Sequence, residues 1–520
     1  KKGVDLMINY LELSTEVRET LDKSFNKNGW KMLNRLEYGS SSTPRSWFYE
    51  DRDPQWILDS VLSMVKTDSK DLKFIADYDA SRASKFLPQG GAAPFADRQV
   101  KFAEYFDNLD SPTGLTSSAL WKKAKKNVIR RLGFNDSGVP LALKQVVERG
   151  ISEDKYNTSS GWPLYRKRKS PEAIQEALDD VEFAISKRYP FTLGTRATMG
   201  KTGKDARFIF MAPMAVNIQG QRFVQPLMDY LRLKRFEFFA PWEGYKEVQR
   251  VQSSFKDGEL RVGADYRGMD MHFNRFHGEE VFDVVKHFFK KQYWPMLHDS
   301  IQYPFLAPVL TSLGMVNQEH ALASGSEWTN FLETMWNYIW VEYLTLKYHF
   351  KVSHAMGIGD DQLWVLQNLT DKDIPWLTST LVQEMELAKL PGNAEKQELS
   401  THHCVFLQRA SDEKFAGPDH NLPNAGVYPL VRNVTSQVYP ERYHNEKSYD
   451  SDAFVLRVLM IAENSCNHYA REKYAEFVAK SNKNIPEFFA RYSPAQANRL
   501  YQEKRRSISG FIPTYNQEKV

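Results

Sequence analysis

The sequence predicts an α+β protein built from several subdomains, and three observations carry that expectation. Its 520 residues exceed what one hydrophobic core holds, and ~150 residues per domain suggests roughly three units. From about position 258 to 410, short apolar strand-like runs alternate with longer stretches of helical period. From Ser451 onward the pattern is helical alone. There Phe454, Val455, Val458, Leu459 and Ala462 recur on one helical face, with Ser451 or Asp452 placed to cap it. Between these regions, Gly417 to Tyr443 is rich in Pro, Asn and Gly and reads as a connector. The polar tail from Ser507 to Val520 reads as an extended arm.

Composition narrows the class. Hydrophobic residues at 42% and charged residues at 26% describe a folded chain and exclude a disordered one. Aromatic residues at 13% favour a large packed body and also supply stacking surfaces for bases. No run of about 18 apolar residues occurs, so no membrane span is expected. Lys1-Lys2-Gly3-Val4-Asp5 does not lead into an apolar signal segment. Two cysteines, Cys404 and Cys466, cannot build a disulfide framework, which points to a reducing compartment.

A net charge of +4 says little about partners, but its placement says more. Lys122, Lys123, Lys125, Lys126, Arg130 and Arg131 lie in one short helical run; Arg166, Lys167, Arg168 and Lys169 form a second cluster. Arg196, Lys201, Lys204 and Arg207 form a third, on a loop loosened by Gly194, Gly200 and Gly203. Each run alone reads as a solvated face; together they suit a channel for a phosphate backbone. The third loop also suits the neutralisation of a triphosphate.

Three further pieces carry chemistry. Leu260 to Ala264 is a short apolar run delivering Asp265 at its end, with Asp270 close behind. Ser324-Gly325-Ser326-Glu327 matches a capping box, so a helix is expected to start there. Its apolar pairs, Phe331/Leu332, Met335/Trp336, Ile339/Trp340 and Tyr343/Leu344, form a buried face. Met356 to Val365 reads as a β-hairpin with Gly359, Asp360 and Asp361 at its tip. Adjacent carboxylates repel, and a divalent cation with a preference for hard oxygen donors, such as Mg²⁺, removes that cost. Asp265 and the Asp360–Asp361 pair can converge for two-metal phosphoryl transfer if their strands are neighbours.

The order of these motifs resembles that of viral RNA-dependent RNA polymerases. Asp265-Tyr-Arg-Gly-Met-Asp270 and Ser324-Gly-Ser-Glu-Trp-Thr-Asn330 are most similar to picobirnavirus enzymes, with partitivirus-like polymerases close by. The resemblance implies a closed right hand: fingers, a palm of antiparallel sheet backed by helices, and a helical thumb. It assigns an N-terminal extension and fingers to 1–225, palm to 226–275, a fingers insertion to 276–315, palm to 316–415, and thumb with C-terminal arm to 416–520. Asp265, Asp360 and Asp361 become metal ligands for two Mg²⁺, with Mn²⁺ as a substitute. Asp270 senses the ribose 2′-hydroxyl, and Ser324, Gly325 and Thr329 belong to the loop and helix that handle template and ribose. Where many relatives carry Asn, this chain has Glu333, and Asn330 on nearly the same helical face is the expected replacement. Lys396 in Pro391-Gly-Asn-Ala-Glu-Lys396 is the candidate general acid, with Lys389 as its rival. Phe406, Leu407 and Arg409 are expected to support the primer strand. Lys204 and Arg207, with Arg196 and Lys201, are expected to grip the incoming triphosphate, and Ser160, Gly161, Trp162 and Pro163 to form the template-entry loop. The implied partners are RNA template and product, NTPs and a capsid protein, for a monomer acting in the virion interior or host cytoplasm on a segmented double-stranded RNA genome.

Two other functions compete. A reverse transcriptase shares the carboxylates but excludes the 2′-hydroxyl with a bulky side chain, where this chain has Asp270. A non-catalytic RNA-binding or capsid protein explains the basic runs but leaves the carboxylates without a purpose. His402-His403-Cys404 groups three zinc-type ligands but lacks a spaced partner pair.

Overall fold

A computed structural model of the chain describes residues 8–23, 27–89, 91–197, 202–441 and 449–504. Lys201 and the tail from Ser507 to Val520 lie outside them. A five-stranded sheet, in the order β1-β6-β5-β2-β3, comprises β1 (Tyr10–Leu11), β2 (Phe191–Arg196), β3 (Arg207–Met211), β5 (Val309–Thr311) and β6 (Gly314–Val316). A four-stranded antiparallel sheet, in the order β7-β8-β4-β9, comprises β4 (Leu260–Ala264), β7 (Val352–Ile358), β8 (Asp361–Leu366) and β9 (Glu398–Ser400). β10 (His403–Phe406) and β11 (Arg409–Asp412) form a separate hairpin. This is the α+β arrangement expected, and no helix among the described residues is long and apolar enough to cross a membrane.

The four-stranded sheet is covered on both faces, which explains why β8 is apolar without interruption. Trp364 packs on Trp340 of the Thr329–Tyr348 helix, with ring centroids 5.6 Å apart. Leu363 and Val365 instead enter a core with Tyr245, Val248 and Phe406. The eight residues of the expected apolar face of Thr329–Tyr348 are all buried. Its far side receives the Ala119–Leu132 helix, with Trp121 set 4.8 Å from Trp336 and 5.8 Å from Tyr343.

Three helix boundaries differ from expectation. Thr329–Tyr348 starts five residues after Ser324, with no side-chain cap. Ser324 faces β3, where its hydroxyl lies 3.5 Å from the Phe210 N–H, and the Ser326 hydroxyl accepts from Trp328 N–H within a turn. The helix Ser451–Glu463 is capped by Asp450, whose carboxylate accepts the Ala453 N–H, one residue before the expected cap. The supposed connector contains a buried helix, Leu430–Val438. Leu430, Val431, Val434 and Val438 repeat at helical spacing there, although Pro and Asn surround them.

That buried helix explains how the N-terminal segment is tied to the C-terminal helices. Phe48, Ile57 and Val61 share one core with Leu430, Val434, Phe454 and Tyr474. At its centre Asp79, 1% exposed, accepts the Leu430 and Val431 N–H groups with its two oxygens. The His468 ring, fully buried, accepts from Ala470 N–H at Nδ1, so its Nε2 carries the proton donated to Asp79 at 2.8 Å. Farther along, Ala93 N–H donates to Gly203 O, and buried Arg98 donates to Ala93 O, Ala206 O and Thr195 Oγ1. The N-terminal segment thus packs on the C-terminal helices and on the β2–β3 loop, closing the molecule into a ring of contacts.

Removing the Asp79 carboxylate strands two helix N–H groups and the His468 donor in a dry core. Asp79→Ala is expected to cost ~3–5 kcal/mol, read as a fall in the urea midpoint; a change near zero would show that the clamp does not hold the two segments together.

Candidate active site

The carboxylates meet because of strand register. β4 pairs with β8 from Leu260↔Leu366 to Ala264↔Gln362, so the next step sets Asp265 across from Asp361. β7 and β8 close on Ile358↔Asp361, leaving Gly359 and Asp360 as the turn, with Gly359 at φ +57°. The expected hairpin with acids at its tip is present, and its neighbour on the sheet is the strand that delivers Asp265.

Side chains then clamp the backbone of both elements. Gln397 holds Asp265 at both ends: its Nε2 donates to Asp265 O at 2.7 Å, and its Oε1 accepts Asp265 N–H at 3.0 Å. The turn is held the same way from the Thr329–Tyr348 helix. Thr334 Oγ1 accepts Gly359 N–H at 2.8 Å, and Asn337 Nδ2 donates to Gly359 O at 2.9 Å. Tyr266 in turn donates to Asn337 Oδ1. Asp361 itself accepts the Leu407 N–H at 3.0 Å from the β10–β11 turn. Gln397, Thr334 and Asn337 were not among the residues expected from sequence. The available signal was polar Thr334 and Asn337 beside the apolar pairs of that helix.

Burial and mutual repulsion load the cluster. Burial, then Asp360, push the Asp361 carboxyl up to about 7. The cleft walls and then Asp270 raise Asp360, against the pull of Arg207. Desolvation also raises Asp265, against Lys396. Lys396, rather than Lys389, therefore bears on the Asp265 carboxyl. A fourth acid, Glu398, stands opposite Gly263 on β9 and is raised by desolvation and by Asp265. Among the described residues no three carboxylate, imidazole or thiol groups lie close enough to hold one ion together; one Asp361 oxygen is occupied by Leu407. The donor set is nonetheless all oxygen and electrostatically strained, which suits a hard divalent cation such as Mg²⁺. The zinc-like run disperses: His402 pairs with Glu413, His403 stacks on Phe74, and Cys404 is buried beside Ser411.

Asp270 faces Glu333 rather than Asn330. Glu333 is 4% exposed, and burial, then Asp270, raise its carboxyl well above the ordinary value of 4.5. Glu333, its carboxyl biased towards the neutral form by burial and by Asp270, therefore occupies the position where many relatives carry Asn, and its Oε1 has no hydrogen-bond partner among the described residues. Asn330 lies by the same turn but gives its Oδ1 to Trp242 Nε1 at 2.9 Å. Asn330 thus stands beside the turn, while helix geometry points Glu333, four residues after Thr329, at Asp270. Gly325 is required by space, since a Cβ there would stand 1.9 Å from Phe210 O. Thr329 donates its hydroxyl to Ala323 O, fixing the same loop.

The basic residues divide. Arg196 and Arg207 pair across β2–β3, and the intervening loop carries exposed Lys204. Arg207 acts on Asp360, whereas Arg196 forms an ion pair with Glu441 at 2.9 Å. The Lys122–Arg131 run does not line this cleft, because the Thr329–Tyr348 helix stands between. Ser160 and Trp162 are buried. Ser160 O accepts the Met214 N–H, Gly161 (φ +66°) lies against Ala212 O, and Pro163 follows a cis bond to Trp162. The buried Ser160 and Trp162 side chains therefore shape their loop from within. Phe406 and Arg409 are likewise buried, the Arg409 guanidinium 4.0 Å over the Tyr245 ring and donating to Leu407 O. They cannot touch a primer from there; Leu407, half-buried, stands in the β10–β11 turn.

Residues 198–420 match the family model described as viral RNA-dependent RNA polymerase. Comparison with curated proteins finds no match. Among solved structures, the RNA-dependent RNA polymerase of a human picobirnavirus is similar with TM-score 0.78 at 18% identity, covering 98% of this chain and 96% of that one. An insertion-loop deletion mutant of such a polymerase gives TM-score 0.76 at 18% identity, covering 96% of this chain and 99% of that one. The fold is therefore that of a right-hand polymerase.

The Glu333 environment makes a signed prediction. Between 4.5 and its raised value the folded state holds a proton that the unfolded state has released, so stability falls as pH rises through that window. Glu333→Gln is expected to fold within ~0.5 kcal/mol of wild type near pH 5 and to gain on it as pH rises from there. Glu333→Ala is expected to lose ~2–3 kcal/mol from the cavity. Urea unfolding across pH measures both; a Gln variant as damaged as Ala would mean that the group is ionised. Separately, Gln397→Leu leaves two Asp265 backbone groups without partners and is expected to cost ~1–3 kcal/mol, read by thermal unfolding.

Proposed function

We propose that this RNA-dependent RNA polymerase, of the viral right-hand type most like those of picobirnaviruses, extends RNA from NTPs by two-metal nucleotidyl transfer. The observation that carries the reading is the β4–β8 register, which brings Asp265 opposite Asp361 with Asp360 at the adjoining turn. Asp265, Asp360 and Asp361 would hold two Mg²⁺, or Mn²⁺ in their place, and the ions would supply activation of the 3′-hydroxyl and charge neutralisation at the leaving pyrophosphate.

The chain's own residues do the rest. Lys201, Lys204 and Arg207 neutralise the incoming triphosphate; Arg196 steadies the end of β2 through Glu441. Asp270 accepts the ribose 2′-hydroxyl proton in a hydrogen bond and so favours ribonucleotides. As the 3′-oxygen gives its proton to solvent and bonds to the α-phosphorus, the bond to the bridging oxygen breaks, and Lys396 gives a proton to the leaving pyrophosphate. Gln397, Thr334 and Asn337 keep the carboxylate-bearing backbone from yielding during the step. The template and product are RNA. Replication and transcription of a segmented double-stranded RNA genome, by a monomer held against a capsid protein in the virion interior or acting in the host cytoplasm, complete the reading.

Nucleotide incorporation on single-stranded RNA with Mg²⁺ tests it. Wild type is expected to make template-length RNA, and Asp360→Asn/Asp361→Asn to lose at least ~1000-fold of the rate. Equal product from both would overturn the carboxylate assignment; no product from either, with Mn²⁺ and a primer supplied, would overturn the polymerase reading.

A further inference from the structure

The helix Ala119–Leu132 carries six cations and no acid in fourteen residues. Two of these cations are spoken for. Lys125 pairs with Glu280 and Asp283, and Arg131 with Glu342. Those three carboxylates are the acids that meet this helix, and Lys286 takes a further share of Asp283. Lys122, Lys123, Lys126 and Arg130 remain, all exposed, with no carboxylate partner among the described residues. Arg130 meets only the neutral Asn127 side chain. At 100° per residue the four fall within one 100° stripe, about 12 Å long from Lys122 to Arg130.

That stripe is unfavourable to its own helix. Lys122 closes the first turn and Lys123 follows it, at the positive end of the macrodipole. Lys122/Lys126 and Lys126/Arg130 are like-charged i,i+4 pairs. A sequence that concentrates uncompensated charge against local preference marks a surface answering to something outside the chain. The location excludes the catalytic cleft, because Trp121 and Ala124 turn inward onto Thr329–Tyr348, which separates the helix from β4 and β8.

We propose that this stripe is a second RNA site, holding the phosphate backbone of a strand outside the catalytic channel. The apolar residues of the helix decide between RNA and an acidic protein. Trp121, Ala124, Val128 and Leu132 are buried, and Leu120 and Ile129 pack on the same core. No apolar anchor is left on the exposed face, as a protein interface would need. Phosphate contact needs only cations, and with no aromatic ring on the stripe it reads no base. The site keeps an RNA strand attached to the outer face of the enzyme while another occupies the channel, raising its local concentration for re-entry.

The test compares wild type with Lys122→Ser/Lys123→Ser/Lys126→Ser/Arg130→Ser, and with the milder Lys126→Glu/Arg130→Glu. Binding of a single-stranded RNA of about 12 nucleotides is titrated over a salt series, and sedimentation counts the RNA bound per chain. Wild type is expected to bind two RNA molecules and each variant one. The slope of log affinity against log salt for the weaker site should vanish with it, about 2 to 3 units for four phosphate contacts. Primer extension at saturating template should be unchanged in both variants. Equal stoichiometry and salt slope in wild type and variants would overturn the proposal. Loss of polyglutamate binding with RNA binding intact would overturn it in favour of an acidic protein partner. Because stoichiometry is read without turnover, failure here is distinct from failure of the catalytic assignment.

Discussion

Antiparallel pairing of β4 with β8 in a single register is the constraint on which the cleft depends. A one-residue slip would exchange the two faces of a strand. Trp364 and Leu366 would leave the core around Trp340, and Asp265 would no longer face Asp361. Burial on both faces makes that slip costly, so hydrophobic packing sets the position of the acids. The carboxylates contribute nothing favourable to this. They are carried to the ends of two central strands in a sheet whose stability comes from the apolar residues behind them.

Holding repelling acids together demands rigid support, and it comes from neutral hydrogen bonds. Gln397 on one side and Thr334 with Asn337 on the other grip peptide N–H and C=O groups. The carboxylate side chains are left largely free of cationic partners. A salt bridge at Asp265 or Asp360 would have stabilised the fold but competed with any cation arriving from solvent. Glu333 follows the same logic: burial and Asp270 raise its carboxyl, which lessens the repulsion that a second ionised carboxylate would add beside Asp360.

The sequence made legible what is local and periodic. The strand ending in Asp265, the Gly359–Asp360–Asp361 hairpin and the buried face of Thr329–Tyr348 each follow from spacing within a dozen residues, and each is present. What escaped depends on distant partners. Ser324 looked like a helix cap because Glu327 follows at the right interval; only the Phe210 N–H, on β3, shows where its hydroxyl sits. Phe406 and Arg409 looked like contacts for a strand because nothing in their spacing reveals that Tyr245 lies beneath them. The Leu430–Val438 helix was hidden by flanking Pro and Asn, since its cap, Asp79, is about 350 residues away. Gln397 and Glu398 carry no pattern and were beyond reach without the fold.

The distant cap has a wider consequence. Asp79 and Arg98 lie within twenty residues of each other in one N-terminal segment, yet they hold opposite sides of the molecule. Asp79 fixes the start of Leu430–Val438, and Arg98 fixes the strands at the base of the basic loop. Between those anchor points the chain also places Arg196 against Glu441, directly joining loop to C-terminal helices. The two sides therefore cannot part without breaking buried hydrogen bonds at both ends of the segment as well as an exposed ion pair. Exposed pairs contribute ~0–1 kcal/mol, whereas breaking the buried clamp costs several times more. Closure of the hand is accordingly a property of the buried N-terminal anchors, and the ion pair adjusts the loop within an enclosure that is already set.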